Sequence, residues 1–379
     1  MNQKIYLDNN ASTPLAPEVL QVMVECLSEN TGNPSSIHSF GQASRAKLVS
    51  ARHEIASYLN VYPDEIVFTS GGTEGINLLI KGILEGKNGH VITSNVEHAC
   101  IYSTLKAYEK KGNSISWLKA GLKGAVTPEA VKAAIRSDTR LIVLTAVNGE
   151  TGAKLDISPL ASIALEARIP FVLDSVAQLG KEEISLFPGV SAMCFSAHKI
   201  HGPKGVGFIW LKRGTPFISP LTGGPQEFGK RAGSENLAGI VGLARAVALL
   251  ETELPKAIHH MLALRNRFET EVLRKLSGVE INGQGERIAN VSNLSFEGIE
   301  GESLIALLDR EGVAVSHGSA CSSGALEPSR ILLSMGTPID QAASAIRFSL
   351  SRFTTQAEID QTIAIVVRLV SHLRNLTKP

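Results

Sequence analysis

The stretch PFVLDSVAQLGKEEISLFPGVSAMCFSAHKIHGPKGVGFIWL, Pro170 to Leu211, holds three short apolar runs: PFVLD (170–174), SAMCFS (191–196) and VGFIWL (206–211). Runs of this length, bounded by Gly, Pro and Ser, read as buried strands. The first closes on Asp174, and the second is followed by His198 and Lys199. Ligands of open α/β sheets collect beyond the carboxyl ends of the strands, so these three residues stand where chemistry is expected.

Working outward, the same kind of run recurs as EIVFTS (65–70), HVITS (90–94), SISWL (114–118) and RLIVLT (140–145). Between the runs lie TEGINLLIKGILEG (73–86), TPEAVKAAIRS (127–137) and SPLASIALEAR (158–168), with apolar residues three and four apart; the last two open on Ser or Thr followed by Pro. This alternation predicts an α/β fold, a seven-stranded, mostly parallel sheet between helices. From about 215 to 235 the pattern lapses. A long helical stretch to about Leu276 then reads as a bridge to a small α+β domain containing NVSNLSFEG, VAVSHGS, AIRFSLSRF and a last amphipathic helix from about Gln356. The expected division is a large domain over 15–255 and a small one over 1–14 and 256–379, since 379 residues exceed what one core usually supports.

Composition narrows the function classes. Lys plus Arg (37) balance Asp plus Glu (36), so nothing pulls the chain toward nucleic acid or anionic membrane. No window reaches the roughly 18 uninterrupted apolar residues of a spanning helix, and MNQKIYLDNN lacks the apolar core of a signal peptide. Cys26, Cys100, Cys194 and Cys321 are scattered without CxxC or Cys/His spacing, which suits neither a disulfide framework nor a zinc site. A cytoplasmic protein, free of bound metal, is expected.

Four strand ends carry suggestive residues, each with a plain reading beside it. In TSGGTEG (69–75) paired glycines let a ligand approach the backbone, and Thr73 opens a helix whose free N–H groups suit a phosphate; the plain reading is a glycine turn with a Thr cap. His98 reads plainly as a helix cap, Asp174 as a turn residue and Lys199 as a surface charge. Together they supply what pyridoxal 5'-phosphate (PLP) requires: a lysine for a Schiff base, a carboxylate for the pyridinium nitrogen, a helix N-terminus for the phosphate and an imidazole over the ring.

The chain also resembles, over essentially its whole length, the NifS/IscS type of cysteine desulfurase, homodimers of PLP-dependent transferase fold type I in the class V aminotransferase-like group. The matching pieces, in order, are YLDNNASTPL, GNPSSIHSFG, IVFTSGGTEG, EHACI, VNGETG, FSAHKIHGPKG, RAGSEN, HGSACSSGALEPS and IRFSLSRFTT. The resemblance implies that Lys199 bonds the cofactor, Asp174 faces the pyridine nitrogen and His98 stacks on the ring. It places Gly72, Thr73, Ser196 and His198 around the phosphate, with Ser234 reaching in from the other subunit. Arg347 would hold the substrate carboxylate, for which a planar guanidinium is the suited bidentate partner.

The same resemblance makes Cys321 the thiol that attacks the sulfur of L-cysteine and carries a persulfide to an acceptor, an iron–sulfur scaffold or a sulfur relay protein. Its glycine- and serine-rich surroundings give the loop freedom to travel, and His317 is a helper in the same loop or a solvent-facing residue. Cys26, Cys100 and Cys194 read as packing residues. Two departures stand out. Gly149 replaces an Asn, and Ala177 a Gln, that in the family donate to the cofactor's O3' oxygen. Gln178 sits one residue late, which on an extended backbone turns it to the other face. Other readings are a selenocysteine lyase or aminotransferase on the same fold, and a non-catalytic scaffold that binds the cofactor.

Overall fold

The computed structural model describes residues 4–86, 88–318 and 327–376, so Cys321 lies outside the described residues. The chain opens with β1 (Ile5–Tyr6), α1 (Pro17–Glu29) and α2 (Ser39–Leu59). It then alternates β2 (Ile66–Thr69), α3 (Gly72–Leu84), β3 (His90–Ser94), α4 (Ala99–Lys110), β4 (Ser114–Leu118), α5 (Pro128–Ala134), β5 (Thr139–Thr145), α6 (Ile157–Ala167) and β6 (Phe171–Asp174). Next come β7 (Ala192–Ser196) and β8 (Gly207–Leu211). All seven expected strands form, each within a residue of its predicted ends.

They make one sheet in the order β2-β8-β7-β6-β5-β3-β4. Every pairing is parallel except the two made by β8, which runs antiparallel to both β2 and β7. The inner strands read as unbroken apolar runs because both faces are covered, whereas the edge strand β4, SISWL, is half-exposed along its length. Ile142, Leu144, Phe171, Leu173, Met193 and Phe195 enter one core, whereas the alternate residues Leu141, Val143, Val172, Ala192 and Cys194 enter another. Period-two geometry thus feeds two helical layers at once, each buried aliphatic side chain contributing about 1.5–3 kcal/mol.

The helix starts follow their caps, with one difference. Thr127 caps α5 by accepting from the Ala130 N–H at 3.3 Å, with Pro128 in the first turn. Helix α6 begins one residue before Ser158: Asp156 holds the cap position and makes no side-chain cap bond, and Pro159 falls within the first turn, where its missing N–H has no helical partner to lose.

Helix α7 (Leu237–Lys275) spans 39 residues with Pro255 inside it. Its residues as far as Leu254 pack in the core on one face of the large sheet, and those from Ala257 onward pack in a third core with β9 (Val279–Ile281), β10 (Val291–Phe296), α8 (Gly301–Arg310), β11 (Val313–Ala314), β12 (Ala345–Ser349) and α11 (Gln356–Leu376). Helices α9 (Arg330–Met335) and α10 (Ile339–Ala343) precede β12. Strands β9, β10 and β12 form an antiparallel sheet in the order β12-β10-β9, and β1 pairs in parallel with β11. Ile5 and Leu7 therefore belong to the same core as the last third of the chain. Among the described residues no helix is long and apolar enough to cross a membrane.

Candidate active site

The carboxyl ends of β5, β6 and β7 open into a cavity of about 210 Å³ lined by Thr73, His98, Asp174, Ser196, Lys199 and Arg347 among others. Each arrives for a local reason. Asp174 is the last residue of β6, 4% exposed, and its Oδ1 accepts the Val176 N–H at 3.0 Å. That bond is the turn role predicted for an isolated aspartate, and it fixes the carboxylate against the cavity wall. Burial raises its pKa, offset by the charges of His98 and Lys199. A buried acid of this kind favours a cationic N–H beside it.

Lys199 closes a single 3-10 turn (Ala197–Lys199) directly after β7. Its Nζ donates to the backbone carbonyls of Asn10 and, at 3.0 Å, Ala11. The lysine turn is also stitched to this N-terminal segment by Thr13, whose N–H and Oγ1 donate to the His198 carbonyl at 2.8 and 2.9 Å. Lys199 is therefore a held residue and not a surface charge.

The cap of α3 is Gly71 (φ 149°), not Thr73, and it makes no side-chain cap bond. The first-turn N–H groups thus stay available at the positive end of the helix dipole. A Cβ on Gly72 would sit 2.8 Å from Val176 Cγ2, so the approach depends on the missing side chain. Gly71, Gly72, Thr73, Ser196 and His198 share a second, open cavity of about 360 Å³ with Ser12 and Lys204. Burial, then the charges of Lys199, Lys181 and Lys204, hold the His198 imidazole down at about 4, so it is neutral near pH 7. Ser234 is exposed and lines neither cavity.

His98 caps α4: its Nδ1 accepts the Cys100 N–H at 3.2 Å, so the plain cap reading and the cavity reading both hold. The ligand atoms of His98, Cys100 and Asp174 lie within 4.8 Å of one another. Cys100 is thus more than packing, since it lines the cavity, whereas Cys26 and Cys194 are buried away from it. His317 is not solvent-facing either: its half-buried ring lies against Gly301, with Nδ1 2.7 Å from the Ala345 carbonyl.

Arg347, 3% exposed on β12, donates from Nη2 to Asp8 Oδ1 at 2.8 Å and from Nη1 to the Gly149 carbonyl at 3.2 Å. Its Nε is buried without a partner among the described residues. Gly149 and Ala177 face each other, a Cβ on Gly149 falling 3.8 Å from that of Ala177, and both line the cavity. Gln178 is buried and is not among the residues that line the cavity, and its Oε1 has no hydrogen-bond partner among the described residues.

Sequence reasoning missed several residues. Asn10 donates from Nδ2 to the Gly149 carbonyl at 3.0 Å. Glu97, fully buried, accepts from Ser94 and Thr145 hydroxyls at 2.5 Å each, and burial pushes its carboxyl up to about 7. Glu150 lines the cavity with its carboxylate buried; burial raises its pKa, against a hydrogen bond from Ser329 and the charges of Arg347, His317 and Arg330. The adjacent polar residues in YLDNNAST and NGET were the available signal.

The donor set fits pyridoxal phosphate: a held lysine, a buried acid, a side-chain-free helix start and an imidazole converge on one cavity. Known proteins agree. The family model for aminotransferase class-V matches residues 5–362. The chain is similar to cysteine desulfurase IscS of Dictyoglomus turgidum, 42% identical over 382 residues covering 100% of this chain and 97% of that protein. It is also similar to cysteine desulfurase IscS of Methanosarcina thermophila, 38% identical over 99% of this chain and 94% of that protein. Among solved structures, a NifS-like protein superposes with TM-score 0.91 at 32% identity, over 98% of this chain and 100% of the other. SspA in complex with cysteine does so with TM-score 0.81 at 30% identity, over 93% and 100%. With this fold, this site and a family match across nearly its whole length, the chain belongs to the class-V aminotransferase family.

Proposed function

We propose that the protein is a PLP-dependent cysteine desulfurase that converts L-cysteine to L-alanine and carries the sulfur as a persulfide on Cys321. The observation that carries this reading is the convergence of Lys199, Asp174, His98 and Arg347 on one cavity. Pyridoxal phosphate, when bound, supplies an electron sink for the substrate's α-carbon.

The chain's own residues do the rest. Lys199 would anchor the cofactor through Nζ, and its amine or the His98 imidazole would move the proton at the α-carbon. Asp174 would be kept ionised by a cationic ring nitrogen. Gly72, Thr73, Ser196 and His198 would hold the phosphate through N–H and O–H donors, the neutral imidazole serving as one. Arg347 would take the substrate carboxylate. The Cys321 thiolate would attack the substrate sulfur: the S–S bond forms, the C–S bond breaks, its electron pair stays with carbon, and that carbon takes a proton to become the methyl of alanine.

A homodimer belongs to this reading. Helix α1 exposes Leu20, Val24 and Leu27 on one face, with Ile37 and Phe40 also exposed nearby in sequence, which suits a second copy. Ser234 would then complete the neighbour's phosphate site. An iron–sulfur scaffold or sulfur relay protein would receive the sulfur, in the cytoplasm, and residues 15–255 would form the cofactor domain against 1–14 and 256–379. Incubating the purified protein with L-cysteine and a thiol reductant should release alanine and sulfide in equal amounts. Sulfide without alanine, or neither, would overturn the reading.

A further inference from the structure

Beyond the cavity, one buried amine is left without an assigned task. After β6 the chain turns through Ser175–Gly180, where the Gln178 and Leu179 N–H groups both donate to the Ser175 carbonyl at 3.1 Å. Gly180 (φ 75°) closes this turn so tightly on Ile200 that a Cβ there would lie 2.6 Å from Ile200 Cγ2. The next residue, Lys181, is 5% exposed, and its Nζ donates to the backbone carbonyl of Lys199. Among the described residues no carboxylate pairs with it. The amine shares a narrow cleft with Lys199, His201, Glu253 and Arg352, of which Glu253 and Arg352 pair with each other.

We propose that Lys181 is a positioning residue that sets Lys199 in register with Asp174. The turn leaving Asp174 and the turn carrying Lys199 touch at two points, Gly180 on Ile200 and the Lys181 amine on the Lys199 carbonyl. Lys199 is thereby held at both ends, its carbonyl by Lys181 and its Nζ by the carbonyls of Asn10 and Ala11. Burial, then the charge of Lys199, brings Lys181 down to about 7, and the neutral amine remains a donor. A lysine suits the task because its long stem lies in apolar packing while a single N–H reaches the carbonyl.

This inference rests on Lys199 being the cofactor lysine, and the test separates the two. Borohydride reduction of the holoenzyme followed by peptide mapping should place the adduct on Lys199. An adduct on Lys181 or Lys204 overturns the Lys199 reading itself. With the adduct on Lys199, K181M, which keeps the length and loses the donor, should release cofactor about tenfold faster and lower kcat by a similar factor while KM for cysteine stays within twofold. The pH midpoint of the cofactor's absorbance should shift as well. K181Q, which retains an N–H, should recover most of the loss. If K181M does not fold, K181A is compared with K181Q by the same readings. Folded donorless variants with wild-type cofactor release, kcat and absorbance midpoint overturn the inference, as does a K181Q defect equal to that of K181M.

Discussion

Replacing Arg347 with Met keeps the volume of a side chain that is 3% exposed and removes its charge. The guanidinium is already engaged by Asp8 at 2.8 Å and by the Gly149 carbonyl at 3.2 Å. A docking carboxylate would add charge-assisted hydrogen bonds worth about 1.5–3 kcal/mol each, two for a bidentate pair. Asp8 already neutralises part of the charge, so the expected net loss is nearer 3 kcal/mol, roughly a 150-fold rise in KM for L-cysteine. R347K keeps a point charge without the fork and should fall between, about 10- to 30-fold. The substitution also strands Asp8, whose side chain is only 18% exposed, so a stability cost of about 3 kcal/mol is expected beside the loss of binding. The double variant D8N/R347M separates the effects: melting temperature should return toward wild type while KM stays high. Steady-state alanine production and thermal melts read both. A KM within threefold of wild type in R347M, or one restored by D8N, would refute the assignment of Arg347 to the substrate carboxylate.

Three further outcomes are expected. C321S should still change the cofactor's absorbance on adding cysteine but release no sulfur, and mass spectrometry of the wild type after brief exposure should place the extra sulfur atom on Cys321, not on Cys26, Cys100 or Cys194. Mixed dimers of a K199A chain and an S234D chain should regain activity through one intact hybrid site, measured as alanine formed after co-refolding; strict additivity of the two defects would count against a shared site. Glu97 has its carboxyl raised by burial from the ordinary carboxylate range to about 7. Its contribution to stability is full below about pH 4.5 and is lost as pH rises through 7. E97Q, which cannot ionise, should therefore gain melting temperature relative to wild type between pH 5 and pH 8, and a flat difference would contradict this.

The inner strands were legible because burial on both faces writes itself as an uninterrupted apolar run, and the edge strand Ser114–Leu118 from its alternation of serine with apolar residues. Their direction was not: Gly207–Leu211 reads like its neighbours, and only the short return from Ser196 makes it antiparallel. Asp174 and Lys199 were legible from their places after strands, and of the two readings offered for Thr73 the plain cap does not form, because Gly71 holds the cap position in a backbone conformation that a threonine would resist. Two-residue β1 has no period to detect, so nothing local revealed that Asp8 reaches Arg347. Cys100 sits in a helical pattern that masks its second exposure, to the cavity. Gly149 and Ala177 stood out from the family pattern, but that they meet face to face needed the fold.

The N-terminal segment, finally, bears on how the protein is made. Ile5 and Leu7 donate to the carbonyls of Gly312 and Ala314, and Leu7 and Asn9 pair with Ser349. Residues 5–9 therefore wait for residues synthesised more than 300 positions later, tens of seconds at roughly 5–20 residues per second. Until then the N-terminal segment has its bonds to the lysine turn, through Thr13, and to Gly149, and Arg347 does not yet exist. A nascent chain stalled before β12 should accordingly fail to capture the substrate carboxylate even with the seven-stranded sheet complete, so substrate binding falls to the finished polypeptide.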